Sequence, residues 1–465
     1  TVYEDCSFIM QPQASMVIMD QTTGEVVAMI GGRGEKTANK TLNRASDSLR
    51  NPGSTFKIVA AYAPAFEELG YGPGTVLYDG PYAYSGADSR LVKNWDKNTP
   101  YRGWTTIREA ITRSMNIMAV KTITDVTTPV AVDYLLRFGF TSLSLEGSNT
   151  DYGQATALGG ITNGVSNLEL TAAYAGIANK GDYIKPRMYT KVVDNEGNVV
   201  LDNEPEETQV ISEQNAWLLI DCMKDVVNGA GGTSGSAKIT NMTTAGKSGT
   251  TSENRDVWFV GMSPYYTAGI WVGYDNNGYK HELSSKAGET SFHKKLWAKV
   301  MSRIHEGLEN KDFTKPSGIV QATICTKSGK LAVAGLCDSD GREGIVRNEY
   351  FAEGTVPTET CDHHVIVNIC ADTGLLATSM CPNQVPQVKL LLPAMQEGVA
   401  EAVTQDTAYG ISANLQAATC TVHSGGVYVP SEYELSGGQA AGTAAPAQDQ
   451  GGAAAQESNE PAPIP

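Results

Sequence analysis

No stretch of this sequence approaches the roughly 20 consecutive apolar residues that cross a bilayer, so no membrane span is expected within it. Its start, Thr1-Val2-Tyr3-Glu4-Asp5, is neither basic nor hydrophobic and has no initiating Met, unlike a secretory signal. The chain therefore reads as a piece of something longer, with any anchor lying upstream. It contains no Cys-x-x-Cys pair, which weakens zinc-ribbon and thioredoxin readings. It has no Gly-x-Ser-x-Gly elbow and no histidine before His281, which argues against a Ser-His-Asp enzyme of the α/β-hydrolase type. Lys and Arg stop at Lys389, and 35 basic against 51 acidic residues leave a net charge of −16. That argues against a binder of phosphate backbones. The charge is uneven, since residues 311–465 hold 7 Lys/Arg against 17 Asp/Glu, which is −10 of the total.

What is present suits one large domain with smaller additions: 465 residues, 41% of them hydrophobic, with 48 glycines and 20 prolines. Residues 14–31 read as a hairpin, with β-rich runs flanking the turn composition Asp20-Gln21-Thr22-Thr23-Gly24. Helical patterns follow from Ser54 to about Leu69 and around 105–122, 166–179 and 212–228. A small hairpin is expected near 187–201. Strands return at 256–262 and 265–273, then a helical stretch at about 287–307. A lone hairpin is marginal, so the early and late strands are expected to join one antiparallel sheet. The helical middle becomes a large insertion packed against it, which makes the fold α+β.

After Pro316 the texture changes. Six of the eight cysteines crowd into residues 325–420, and Ile324-Cys325 through Cys337 repeats as Ile369-Cys370 through Cys381. Local disulfides in an oxidising, extracytoplasmic setting suit that pattern, with unpaired thiols as the other reading. Cys361-Asp362-His363-His364 hints at metal, but its spacing fits neither a helical nor a ribbon site, and a solvated turn is the plainer expectation. From Ser436 the chain is Gly, Ala, Gln and Pro with almost no large apolar side chains, and is expected to be disordered. The expected division is 1–316, a Cys-rich accessory region over 317–435, and a tail over 436–465.

The sharpest chemical signal is Arg50-Asn51-Pro52-Gly53-Ser54-Thr55-Phe56-Lys57. Pro52-Gly53 makes a turn, Ser54 opens an apolar helix, and Lys57 follows one turn later on the same face. A helix start offers free N–H groups to an oxyanion. A desolvated lysine beside another cation loses its proton and serves as base. The plain alternative is an N-cap serine with a snorkelling lysine. Ser114-Met115-Asn116 and Lys247-Ser248-Gly249-Thr250-Thr251 come next in order. Decoys exist, among them Ser291-Phe292-His293-Lys294, Ser252-Glu253-Asn254, Ser412-Ala413-Asn414 and Lys327-Ser328-Gly329; order and neighbours separate them from the set.

Serine with lysine three residues on, then Ser-x-Asn, then Lys-Ser/Thr-Gly, resembles the signature of penicillin-binding proteins and serine β-lactamases. The flanks resemble the transpeptidase domain of bifunctional (class A) penicillin-binding proteins over roughly residues 10–310. They include Met16 to Gly32, Asn43-Arg44-Ala45, Leu158-Gly159-Gly160, Ala173-Tyr174-Ala175 and Asp256 to Asp275. Lys247-Ser248-Gly249 varies the more usual Lys-Thr-Gly, and Ile58 stands where many relatives have proline.

The resemblance implies a peptidoglycan D,D-transpeptidase that is acylated by β-lactams. Ser54 would attack a D-Ala-D-Ala stem peptide and Lys57 would take its proton. Ser114 would relay that proton to the departing D-alanine, while Asn116 holds the substrate amide and Lys57. Lys247, Ser248, Gly249, Thr250 and Thr251 would engage the terminal carboxylate, with the N–H groups of Ser54 and Thr250 as oxyanion hole. Donor and acceptor stem peptides, β-lactams and the cell-wall synthesis machinery are the implied partners. No metal or organic cofactor is required. The implied setting is the bacterial cell surface, with a membrane anchor and a glycosyltransferase domain upstream. A D,D-carboxypeptidase or β-lactamase on the same scaffold would need a water-activating carboxylate near Ser54. A non-enzymatic β-lactam sensor would stop at acylation. Trp95, Tyr101 and Trp104 are candidates for the cleft wall, with rim or core packing as the alternative.

Overall fold

The computed structural model describes residues 11–36, 38–86, 89–96, 101–275, 281–394, 396–412, 419–423 and 426–431. At its centre is a five-stranded antiparallel sheet in the order Val26–Ile30, Gln13–Asp20, Tyr266–Gly273, Asp256–Met262, Ala245–Thr250. The early and late strands do pair, with Val17 opposite Gly269 and Val260 opposite Lys247. The expected insertion lies between them, including helices Asn167–Ala178 and Glu213–Asn228.

Helix Asn167–Ala178 is apolar nearly all round and buried on almost every residue, which suits a central helix rather than a surface one. Ser166 and Glu169 form a reciprocal capping box at its start. It sits so close to the sheet that a Cβ on Gly269 would stand 2.2 Å from Thr171 Oγ1. On the other face helix Phe292–Ile304 seats Trp297 edge-on against Phe259, ring centroids 4.9 Å apart, with its indole N–H on the Ala268 carbonyl. That helix is shorter than the stretch its sequence suggests.

The expected helix at 105–122 is two helices, Ile107–Thr112 and Asn116–Val126, broken at Ser114. Ser114 has φ of +56°, a left-handed conformation that costs a non-glycine residue energy and is typical of functional sites. Helix Thr128–Arg137, opened by a proline in its first turn, is an additional element. Strand Ala245–Thr250 is another.

The C-terminal region packs directly on this body. Strand Ile319–Cys325 pairs with Val346–Ala352, and His364–Cys370 pairs with Gln384–Leu392, beside which Gly410–Ser412 runs parallel. Glu349 brings a buried carboxylate to Arg108, which also binds Asp221 at 2.6 Å and Asp225 at 3.0 Å. Trp104 leaves the cleft for the same interface, with its indole N–H on the Leu391 carbonyl and its ring 4.2 Å from that of His363. Tyr101 bridges to Thr404.

The disulfide expectation is corrected here. All seven described cysteines are free, and the six of the C-terminal region meet in threes, each trio with a histidine. His364 is wholly buried rather than part of a solvated turn. The tail at 436–465 lies outside the described residues.

Candidate active site

Segments far apart in the chain build one cavity of about 810 Å³, lined among others by Ser54, Ser114, Asn116, Ser248, Thr250 and Lys294. Ser54 lies in a single 3₁₀ turn, Gly53–Thr55, followed by a π-helical stretch, Lys57–Tyr62, a geometry frequent at functional sites. Gly53 has φ of +56°, and a Cβ there would stand 2.9 Å from the Thr250 carbonyl oxygen. Only glycine allows the turn and the edge strand to approach this closely. A Cβ on Gly249 would likewise meet the Pro52 carbonyl at 2.3 Å. One on Gly159 would reach the Gly53 nitrogen at 2.5 Å.

The sequence flanks converge beneath this turn. Trp258 donates its indole N–H to the Asn51 carbonyl at 3.0 Å, and Tyr174 its hydroxyl to the Thr55 carbonyl at 2.6 Å. Arg44 forks onto Asp275 at 2.5 and 2.6 Å. Bidentate pairing of that kind fixes geometry as well as charge.

Lys57 and Lys247 are both wholly buried under the cavity floor. Lys57 Nζ donates to the Ser114 carbonyl at 2.7 Å and Asn116 Oδ1 at 2.6 Å, and lies 3.3 Å from Ser114 Oγ. Lys247 Nζ reaches the same Ser114 Oγ at 2.7 Å. The left-handed turn at Ser114 thus sets one hydroxyl between two amines. Asn116 is itself held by its amide, which donates to the Lys93 carbonyl at 2.7 Å.

Burial, aided by the neighbouring charge of Lys247, holds the Lys57 pKa well below its ordinary value. Burial and then Lys294 bring Lys247 down to about 7. Burial lowers Lys294 as well. Removing amines from water without a compensating carboxylate penalises the protonated form, and adjacent like charges add to that penalty.

All nine residues singled out from the sequence come together. Ser54, Ser114, Asn116, Ser248, Thr250 and Thr251 line the cavity, Lys57 and Lys247 lie under it, and Gly249 is the contact between strand and turn. Ser291-Phe292-His293-Lys294 remains a decoy as a Ser-x-x-Lys motif, since Ser291 is not among the cavity-lining residues, but its Lys294 does line the cavity. Its amine donates to the Thr233 carbonyl at 3.0 Å on the cavity wall, while Thr233 Oγ1 lies 3.3 Å from Ser248 Oγ. Position alone did not mark it, because it comes from a helix on the far side of the sheet's edge. Of the three aromatic candidates Trp95 lines the cavity, joined by Tyr84. Its indole N–H rests on the Arg113 carbonyl.

Comparison with known proteins places this geometry. The family described as penicillin binding protein transpeptidase domain matches residues 14–301, and the one described as penicillin-binding protein 1A, C-terminal domain, matches residues 315–366. Penicillin-binding protein 1A of Clostridium tetani is 35% identical over 374 residues, covering 78% of this chain and 46% of that protein. Its namesake in Clostridium perfringens is 35% identical over 368 residues, 77% of this chain and 43% of that protein. The chain thus spans about half the length of the curated relatives it matches. Among solved structures, penicillin-binding protein 1A from Haemophilus influenzae aligns with a TM-score of 0.61 at 24% identity, over 75% of this chain and 54% of that one. The PonA1 protein from Mycobacterium tuberculosis in complex with penicillin V aligns at 0.57 and 24%, over 66% and 81%. At such identities these two likenesses concern the fold. With residues 14–301 matched and the motif residues gathered in one cavity, the chain belongs to the penicillin-binding protein transpeptidase family.

Proposed function

We propose that this chain is a peptidoglycan D,D-transpeptidase that crosslinks stem peptides through a Ser54 acyl-enzyme and is acylated by β-lactams. The observation that carries the reading is the buried, carboxylate-free pair Lys57 and Lys247 meeting at Ser114 Oγ, one helical turn from Ser54. Neutral Lys57 takes the proton as Ser54 Oγ attacks the penultimate D-alanine carbonyl. The N–H groups of Ser54 and Thr250 receive the oxyanion. Ser114 hands a proton to the departing D-alanine nitrogen, and Lys247 protonated, with Ser248, Thr250 and Thr251, holds the terminal carboxylate. An amine from a neighbouring stem then displaces Ser54 and closes the crosslink. Transfer rather than hydrolysis is supported by the wall itself: no Asp or Glu is among the described residues lining the cavity, so no carboxylate there is placed to activate water.

The division at 316/317 and the role of 317–435 as an accessory unit packed on the transpeptidase unit belong to the same proposal. So does placement at the outer face of the bacterial membrane, with anchor and further domains supplied by a longer protein. No described helix is long and apolar enough to cross a membrane.

The test is intact-mass spectrometry after incubation with penicillin, with peptide mapping and a Ser54→Ala control. An adduct on Ser54 that persists for many minutes and vanishes in the variant supports the acyl-enzyme. No adduct on folded protein overturns it, and rapid loss with release of opened penicillin would make the chain a β-lactamase. Stem-peptide dimers formed with an added acceptor amine separate the transpeptidase from a carboxypeptidase or a sensor.

A further inference from the structure

Away from the cavity, the six cysteines of the C-terminal region are all consumed by two four-residue clusters. Cys325, Cys337, Cys361 and His364 form the first, and Cys370, Cys381, Cys420 and His423 the second. In each, one sulfur or nitrogen per residue lies within 4.8 Å of all the others. Seven of these eight residues are buried, and His423 is half-buried.

The two clusters have one architecture. Cys325 and Cys370 each end a strand and enter a tight turn, their carbonyls accepting from Gly329 N at 2.8 Å and Gly374 N at 2.9 Å. Cys361 N donates to the Leu331 carbonyl, and Cys420 N to that of Leu376, both at 2.8 Å. Cys337 Sγ accepts from the backbone N–H of Val333 at 3.3 Å, and Cys381 Sγ from that of Thr378 at 3.2 Å. Each histidine follows the third cysteine by three positions, as Cys361-Asp362-His363-His364 and Cys420-Thr421-Val422-His423.

The histidines are oriented as ligands. His364 Nδ1 faces two sulfurs, Cys325 at 3.4 Å and Cys361 at 3.5 Å. His423 Nδ1 faces Cys370 and Cys420, both at 3.4 Å. With Zn–S of about 2.3 Å and Zn–N of about 2.0 Å, the nitrogen-to-sulfur edge of a tetrahedron is about 3.5 Å. The opposite ring nitrogen meets a carboxylate each time: His364 Nε2 with Asp340 Oδ2 at 2.9 Å, and His423 Nε2 with Asp372 Oδ2 at 3.6 Å. Such a partner fixes the tautomer and raises the basicity of a metal-bound imidazole. Asp340 is in turn gripped by Arg342 at 2.5 and 2.7 Å.

Disulfides fit this arrangement poorly. Three thiols cannot pair completely, so each cluster would keep one buried odd cysteine, and a histidine aimed at sulfur would have no purpose. We propose that the C-terminal region holds two structural zinc ions, one bound by Cys325, Cys337, Cys361 and His364 and the other by Cys370, Cys381, Cys420 and His423. Four protein ligands close each site, which is the structural rather than the catalytic form of zinc coordination. Binding displaces one proton from each thiol and leaves three thiolates on the metal. A region with only small apolar clusters of its own thereby gains two crosslinks.

The first site also reaches the transpeptidase unit, because Arg342 bridges from Asp340 to Asp406 at 2.5 Å, and Asp406 accepts from Trp104 N at 2.6 Å. The proposal does not depend on the reaction at Ser54.

The experiment uses the whole chain purified without chelator, assayed by plasma mass spectrometry for metal and by thiol titration before and after denaturation. Two zinc ions per chain that survive dialysis are expected, falling to one in Cys361→Ser, to one in Cys420→Ser and to none in the double variant. Far-ultraviolet circular dichroism and a cooperative thermal transition report whether each variant is folded. Should a variant aggregate, replacing zinc with cobalt in the unaltered chain decides: sulfur-to-cobalt charge-transfer bands with intense visible bands of tetrahedral cobalt are expected at two equivalents. Less than one metal per chain, with the same cysteines recovered as disulfides or as metal-free thiols, overturns the proposal. Saturation at a single equivalent overturns it for one of the clusters.

Discussion

Beneath the cavity, and at the seam between the transpeptidase unit and the C-terminal region, the protein buries cations under opposite rules. Lys57 and Lys247 have carbonyl, amide and hydroxyl oxygens around them and each other's charge nearby. Arg108, 4% exposed, is ringed by Asp221, Asp225 and Glu349. At Lys57 burial and like charge act together, and proton affinity falls. At Arg108 burial also acts against the charge, but Cys222, Glu349 and Asp221 together outweigh it and the pKa rises. An unmatched buried amine is a base, whereas a matched guanidinium is a joint. Under the proposed mechanism the first arrangement costs stability and supplies reactivity, and the second is expected to carry none of the chemistry.

Lys57→Ala should produce the largest effect. The rate of penicillin acylation at Ser54 should fall by about 10³-fold, within the usual range for losing a general base, while the urea midpoint should not drop. An acylation rate close to that of the unaltered protein would remove Lys57 from the mechanism and erase the contrast. Arg108→Ala should do the reverse. It leaves Glu349 and Asp221 buried without a counter-charge, at a cost of about 3–5 kcal/mol in unfolding free energy. Molecules still folded should acylate within a few-fold of the normal rate, and a collapse of acylation without loss of stability would show the seam to be part of the chemistry.

Lys247 gives a smaller, pH-dependent effect. Its folded pKa is about 7 against an ordinary value of 10.5, so between those values the unfolded chain binds the extra proton. This group therefore makes stability rise with pH across that window, fully recovered only above the unfolded pKa. Urea titrations at the two ends should show a flatter pH dependence in Lys247→Met. The smallest change is expected from Lys294→Met. Without that neighbouring charge the Lys247 pKa moves up, and the alkaline limb of the acylation profile, where Lys247 loses its proton, moves up with it by about one unit or less. An unmoved limb would mean that burial alone sets Lys247.

Local chemistry made part of this protein legible. Pro52-Gly53-Ser54 before an apolar helix marks a turn followed by a helix start, and β-rich runs on either side of turn residues marked both outer hairpins. Strand Ala245–Thr250 was not legible as a strand. Ala-Gly-Lys-Ser-Gly-Thr has neither β-branched apolar residues nor alternation, and it becomes a strand by pairing with Asp256–Met262. Its glycines are required because Phe259 and the Pro52 carbonyl occupy the space that a Cβ would take. The break at Ser114 was hidden for a related reason: nothing in Thr112-Arg113-Ser114-Met115 forbids a continuous helix. The turn is held by contacts from Lys57 and Lys247, distant in sequence. The cysteine clusters did leave a signal, the repeated Cys-x-x-His at 361–364 and 420–423. It was obscured because the other two cysteines of each cluster arrive from turns far upstream.

The sequence by itself determined the order of the chemical residues, the α+β pattern and the internal repeat of the C-terminal region, since turn preference and hydrophobic period act over a few residues. Only the tertiary structure decided how far burial and neighbouring amines lower the proton affinities of Lys57 and Lys247, that Lys294 stands beside Lys247, and whether six cysteines gather in pairs or in threes with histidine. Those outcomes depend on desolvation and on distances of a few ångströms between segments far apart in the chain, and both exist only once the sheet, its inserted helices and the C-terminal strands have closed on one another.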